Sequence, residues 1–155
     1  MTSTIEAATL TVTISENISL NGSNQGAKNT LSIGSVNEIF KRIVTVTTTE
    51  AEILAFGTAI GAGTFDEAKV MYIRMTNLDD TNHIVLTFKS EGDHEFAVKL
   101  DKGQSFIYNG DLAAGVVDTM DASGTALSIA LEDLVNITAD ADTASCDMEI
   151  FVACI

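Results

Sequence analysis

The 155-residue chain has no proline and no tryptophan, only two cysteines and two histidines, and eight basic residues against 22 acidic ones. Each shortage excludes something. Two cysteines are too few to staple a small secreted domain. A formal charge of −14 works against nucleic-acid binding, which needs lysine and arginine to displace counterions from phosphates, and anionic membranes are disfavoured on the same ground. No run of about 18 apolar residues offers a membrane-spanning helix. The stretch Met1 to Glu6 lacks the charged and apolar regions of a signal peptide, so a mature chain starting at Met1 is expected. Without proline, sheet edges lose one common blunting device and stay open to pairing with other chains.

What is present is a folding chain. The 46% hydrophobic content argues against intrinsic disorder, and a chain of this length can bury about two-thirds of its unfolded surface in one domain. The charge is unevenly placed, with 13 acids and all eight bases at or before Lys102 and nine acids with no base beyond it. A solvated acidic surface is the plain reading. Asn17-Ile-Ser19, Asn21-Gly-Ser23 and Asn136-Ile-Thr138 fit the glycosylation acceptor pattern, which arises by chance in a Ser/Thr-rich chain without a secretory signal.

Strand periodicity dominates. Leu10, Val12 and Ile14 alternate with Thr9, Thr11 and Thr13, and Ile18 and Leu20 continue the same parity before a Gly/Asn-rich loop over residues 21–28. Val70 to Ile73 is apolar on both faces, which predicts a central strand covered on both sides. Ile84, Leu86 and Phe88, then Phe96, Val98 and Leu100, flank the Glu91-Gly92-Asp93 turn as a hairpin. A turn at Asp101 to Gln104 leads into a strand from Ser105 to Tyr108. Alternation at Leu127, Ile129 and Leu131, again at Val135, Ile137 and Ala139, and finally at Cys146, Met148, Ile150, Val152 and Cys154 predicts three more strands. Ser35-Val-Asn-Glu38 fits a capping box and predicts a short helical turn, while Glu50 to Phe56 fits either a helical turn or a strand. The expectation is an all-β, jelly-roll-like antiparallel β-sandwich of roughly eight to ten strands, with at most one or two short helical turns. It would be a single domain over residues 1–155, with 1–30 as an extended N-terminal arm.

The search for chemistry returns little. His83 and His94 are the only imidazoles, one on the polar face of a strand and one in a turn, and no nucleophile elbow accompanies them. Cys146 and Cys154 share the parity of the last strand, about 26 Å apart if it is straight, so they read as core thiols that cannot bond to each other. Asp79, Asp80 and Asn82 gather oxygen ligands in a turn and are weak calcium candidates, as are Asp140 and Asp142, although Asp and Asn also simply make turns. Gly57 to Gly63 lacks the ending of a phosphate-binding loop and reads as a connection. Tyr72, Phe88, Phe96, Phe106 and Tyr108 read as core, and the acidic pair Glu132-Asp133 has no shared cleft visible in the sequence. Neither an enzyme nor a cofactor is indicated. For contacts between chains, Leu10, Val12 and Ile14 are the candidate interface.

Three stretches carry a resemblance: KRIVTVTTTEAEILAF from Lys41 to Phe56, VMYIRMTNLDDTN from Val70 to Asn82, and FAVKLDKGQSFIY from Phe96 to Tyr108. Together they resemble small virion structural proteins of tailed bacteriophages, particularly phages of marine bacteria. The resemblance implies a β-sandwich virion component without enzymatic activity, assembled in the host cytoplasm. The expected function is capsid decoration, with the chain binding the outer face of the major capsid protein, or contacting other virion proteins, as a homo-oligomer such as a trimer. The alternatives are a tail, baseplate or fibre component, or a carbohydrate- or receptor-binding sandwich module.

Overall fold

A computed structural model describes residues 4–59, 61, 63–112, 115–116 and 131–155. Its first four strands, β1 (Ala8–Ser15), β2 (Ser19–Leu20), β3 (Ser23–Asn24) and β4 (Lys28–Val36), build one antiparallel ribbon. The expected arm is thus a two-stranded structure, and the expected loop over residues 21–28 shrinks to a tight turn. Asn21 and Gly22, with φ of 51° and 78°, form the two-residue connection whose positive dihedrals match the twist of the flanking strands. Further down the ribbon the strands approach so closely that a Cβ on Gly26 would lie 2.0 Å from the Glu16 carbonyl oxygen.

The remaining strands are β5 (Glu38–Val46), β6 (Ala51–Gly57), β7 (Thr64–Asp66), β8 (Val70–Asn77), β9 (Ile84–Ser90), β10 (Glu95–Leu100), β11 (Ser105–Tyr108), β12 (Leu134–Ala141) and β13 (Cys146–Cys154). They form a five-stranded sheet in the order β10-β9-β12-β6-β7 and a four-stranded sheet in the order β11-β8-β13-β5. All pairings are antiparallel except β6 with β7. The two sheets enclose one core, to which β9 contributes Ile84, Leu86 and Phe88 and β13 contributes the whole row from Cys146 to Cys154. This is the all-β sandwich that the alternation implies.

Local expectations fail where tertiary packing overrides short-range signals. Ser35 to Glu38 is not helical: Ser35 takes φ of 61°, Val36 is buried, and Asn37 donates its N–H to the Cys154 carbonyl at 3.0 Å. The segment is a bend that turns the ribbon into β5. The stretch left open between helix and strand at Glu50 to Phe56 becomes β6, and a 3-10 turn forms instead at Glu67–Lys69, capped by Asp66, whose carboxylate accepts the Ala68 N–H. Thirteen strands lie among the described residues, exceeding the expected number through the two-residue β2 and β3 and the parallel β7. The strand expected around Leu127 lies almost wholly outside the described residues, and the Gly57 to Gly63 connection partly so.

In β12 the register shifts between Leu134 and Asn136, which leaves Val135 exposed while Ile137, Thr138 and Ala139 are buried. A register irregularity also reshapes β8, where Ala153 opposes Tyr72 and Cys154 opposes Val70. Met71 is the extra residue, and it places Val70 in the inter-sheet core while Tyr72 packs on the opposite face. An added residue of this kind reverses which face the following side chains occupy. The strand predicted to be covered on both sides is covered on both sides, by the second sheet and by the ribbon.

Candidate interaction surface

The outer face of the four-stranded sheet is where the chain presents its least ordinary surface. Tyr72 on β8, Phe151 and Ala153 on β13, and Ile107 on β11 form an apolar floor there, with Tyr72 and Phe151 edge-to-face at 5.9 Å. The ribbon lays Leu10, Val12, Ile33 and Val36 against this floor as a second, smaller core. Toward its tip the apolar stripe loses cover: Ile18 and Leu20 are 52% and 60% exposed. A groove of about 340 Å³ opens between β1 and the sheet, with Arg74 at its floor.

Arg74 is held in a network. It donates to Glu149 Oε1 at 2.5 Å and to Thr76 Oγ1 at 2.6 Å, and Lys41 approaches Glu149 Oε2 at 3.3 Å. Hydrogen bonds first from Arg74 and then from Lys41 hold the Glu149 carboxyl below its ordinary value. Hydrogen bonds from Ser90 and His94 do the same for Glu132, from Lys89 and Thr138 for Glu50, and from the Asn82 and Thr81 amides for Asp79. Each of these carboxylates stabilises the fold above its unfolded pKa, near 4.5 for glutamate and 3.8 for aspartate, and loses that contribution as pH falls through its lower folded value. Glu67, raised first by burial and then by Asp133, Asp66 and Glu91, acts with the opposite sign. Urea midpoints measured from pH 7 to pH 2 are therefore expected to fall steadily below about pH 4.5, and Glu149→Gln to flatten that decline. A midpoint that holds or rises on acidification would contradict these pairings.

The residues singled out in the sequence meet in two separate histidine–carboxylate pairs rather than in one site. His83 stands one residue before β9, 3.6 Å from Asp142, while His94 Nδ1 lies 2.8 Å from Glu132, to which Ser90 also donates. Asp133 lends its backbone carbonyl to the Glu91 amide. The Asp79 carboxylate accepts from the Thr81 and Asn82 amides at 2.7 and 2.6 Å, and Asp80 accepts from the Thr81 hydroxyl, so these oxygens close a turn. Asp140 and Asp142 lie at the end of β12 and just beyond it. No cluster of three or more His, Cys, Asp or Glu suited to a metal ion occurs among the described residues. Both thiols are buried at opposite ends of β13, and burial pushes Cys154 up to about 11, which leaves it almost entirely protonated and inert at neutral pH.

Of the aromatic residues read as core, Phe88, Phe106 and Tyr108 occupy the space between the sheets. Phe96 stacks on Phe88 at 4.7 Å yet stays 38% exposed, beside an apolar cavity of about 320 Å³ that Ile73 and Leu134 also line. Tyr72 belongs to the ribbon's seat. The candidate interface divides likewise: Leu10 and Val12 are half-buried against the chain's own sheet, whereas Ile14 sits at the groove with 39% exposure. Sequence reasoning missed the β5 row of Ile39, Lys41 and Ile43, exposed on the same outer face. The alternation of isoleucine with a charge marks these residues as one face of a strand but does not say that the face is left uncovered.

No protein-family model and no curated protein matches the chain. Among solved structures, one reported under the description "Bacillus endospore appendages form a novel family of disulfide-linked pili" aligns with a TM-score of 0.45 and 12% identity, over 76% of this chain and 82% of that one. At that level the likeness decides nothing about what this chain does.

Proposed function

We infer that the chain is a non-enzymatic structural subunit of a bacteriophage virion, a decoration protein that binds the outer face of the assembled major capsid protein as a homo-oligomer. The observation that carries this reading is the ribbon: a folded extension bearing exposed Ile18 and Leu20, mounted on a sandwich that already has its own core. Exposed apolar side chains at the end of a built projection are suited to a partner surface. The −14 charge favours a place outside the shell, since it repels packaged DNA. The phage resemblance of Lys41 to Tyr108 supplies the kind of particle. Electron microscopy of the source particle tests the reading, with density for this sandwich expected on the capsid exterior. Density confined to the tail would replace decoration by a tail or baseplate role, and absence from the particle would overturn the virion reading altogether.

A further inference from the structure

The ribbon covers only part of the sheet on which it rests. Its apolar side chains pack on residues of β8, β11 and β13 and on none of β5, so Ile39 and Ile43 stand 58% and 60% exposed on either side of Lys41. Among the described residues β5 is also the last strand of its sheet, and its outer edge of backbone N–H and C=O groups is a template for another strand.

The ribbon carries a complementary row. Ile14, Glu16, Ile18 and Leu20 alternate with Ser15, Asn17 and Ser19. The ladder continues through this stretch, with the Glu16 N–H donating to the Ala27 carbonyl at 2.8 Å and the Gln25 N–H to the Ile18 carbonyl at 3.0 Å. Both rows read isoleucine, charge, isoleucine with a period of two, so in each the isoleucines lie about 13 Å apart. The central charges are opposite. Residues 4–36 hold Glu6, Glu16 and Lys28, net −1, whereas β5 holds Glu38, Lys41 and Arg42, net +1 in a strongly acidic chain. Neither Glu16 nor Arg42 has an ion-pair partner among the described residues.

We propose that the distal ribbon of one copy adds antiparallel to the β5 edge of a second copy, with Ile14 beside Ile43, Glu16 beside Lys41 and Ile18 beside Ile39. Directly opposed side chains in such a pairing are about 5 Å apart, close enough for both isoleucine contacts and the ion pair. A second copy fits because copies of this chain repel each other over most of their surface, and this pairing sets an acidic row against a basic strand. The two surfaces lie in different parts of the chain, so the contact closes reciprocally in a dimer or head-to-tail in a ring. The inference rests on the reading of the chain as an assembly subunit, but not on the capsid as the place of assembly.

Charge exchange tests it. Sedimentation velocity at low ionic strength, where surface charges are least screened, is expected to show self-association of the unaltered chain. K41E and E16K should each weaken that association at least tenfold, because each sets like charges side by side. An equimolar mixture of the two variants should restore it, since every contact between unlike copies again joins Glu to Lys. E16K breaks no ion pair within the chain and so remains informative if K41E, which sets a second acid near Glu149, folds poorly; the double variant E16K/K41Q, which lifts the Lys–Lys repulsion of E16K without adding an acid there, then replaces the mixture. A monomeric unaltered chain, single variants that associate like it, or failure of both the mixture and the double variant to restore association would overturn the proposal. The electron-microscopy result for the virion reading would stand unaffected.

Discussion

Replacing Asn77 with alanine is expected to destabilise the protein by about 3–5 kcal/mol, counting three lost hydrogen bonds and the burial of the groups left unpaired. Asn77 ends β8 with no solvent exposure. Its amide nitrogen donates to the Asn82 carbonyl at 2.9 Å and to the Leu100 carbonyl at 3.2 Å, and its Oδ1 accepts the Asp79 N–H at 2.9 Å. Its own backbone N–H reaches the Gln104 carbonyl at 3.0 Å. One side chain thus ties the turn after β8 to the end of β10, across the gap between the two sheets. Domains of this size are stable by about 5–15 kcal/mol, so the loss is a large fraction of the total. Asn77→Asp keeps the shape but aims a carboxylate at two carbonyl oxygens. Its defect should ease as pH falls and the acid becomes protonated, opposite in sign to the acid sensitivity of the unaltered chain. Urea denaturation of both variants checks this, and a cost below about 1 kcal/mol for Asn77→Ala would mean that water replaces the lost partners.

Removing residues 1–26 is expected to abolish attachment to the particle while leaving the sandwich folded. The deletion takes away β1 to β3, including the half-buried Leu10 and Val12, and uncovers Tyr72, Ile107 and Phe151. That lost burial amounts to about 2–4 kcal/mol, whereas the inter-sheet core, which contains no ribbon residue, keeps its contacts. Co-sedimentation with capsids stripped of this protein should fall at least a hundredfold, and a far-ultraviolet β-sheet signal should persist. Truncated protein that binds as well as the full chain would place the attachment surface on the sandwich itself.

Much of this architecture was written in alternation. The row Cys146 to Cys154 predicted a strand with one apolar face, and it became the centre of the four-stranded sheet. The hairpin of Ile84 to Leu100 formed with Phe88 opposite Phe96. The two-faced apolarity of Val70 to Ile73 was legible because it has a direct cause: a strand between two covers has no polar side. Other features had no local signature. The Ser35 to Glu38 pattern satisfies a helix start in isolation, but Val36 is drawn into the ribbon's seat and Asn37 into the ladder with β13, and those long-range contacts decide the backbone. The uncovered β5 row is likewise a property of sheet order, since nothing near Ile39 says that β5 is an edge or that the ribbon stops short of it. The Arg74–Glu149 pair joins residues 75 apart in sequence. Nothing near Arg74 in the sequence says which carboxylate it meets.

The position of β13 has a kinetic consequence. This strand lies between β5 and β8 and pairs Cys154 with Glu38, so the four-stranded sheet cannot close until nearly the whole described chain has been synthesised. Until then β5 and β8 each lack a neighbour, and their partners on β13 lie as far along the chain as Cys154 is from Glu38 and from Val70, so long loops must close before either pairing contributes. Sheets dominated by such distant pairings fold on the order of milliseconds to seconds. During synthesis the β5 edge is therefore exposed on two sides rather than one, which makes the nascent chain most prone to pair with its neighbours before its own last strand arrives.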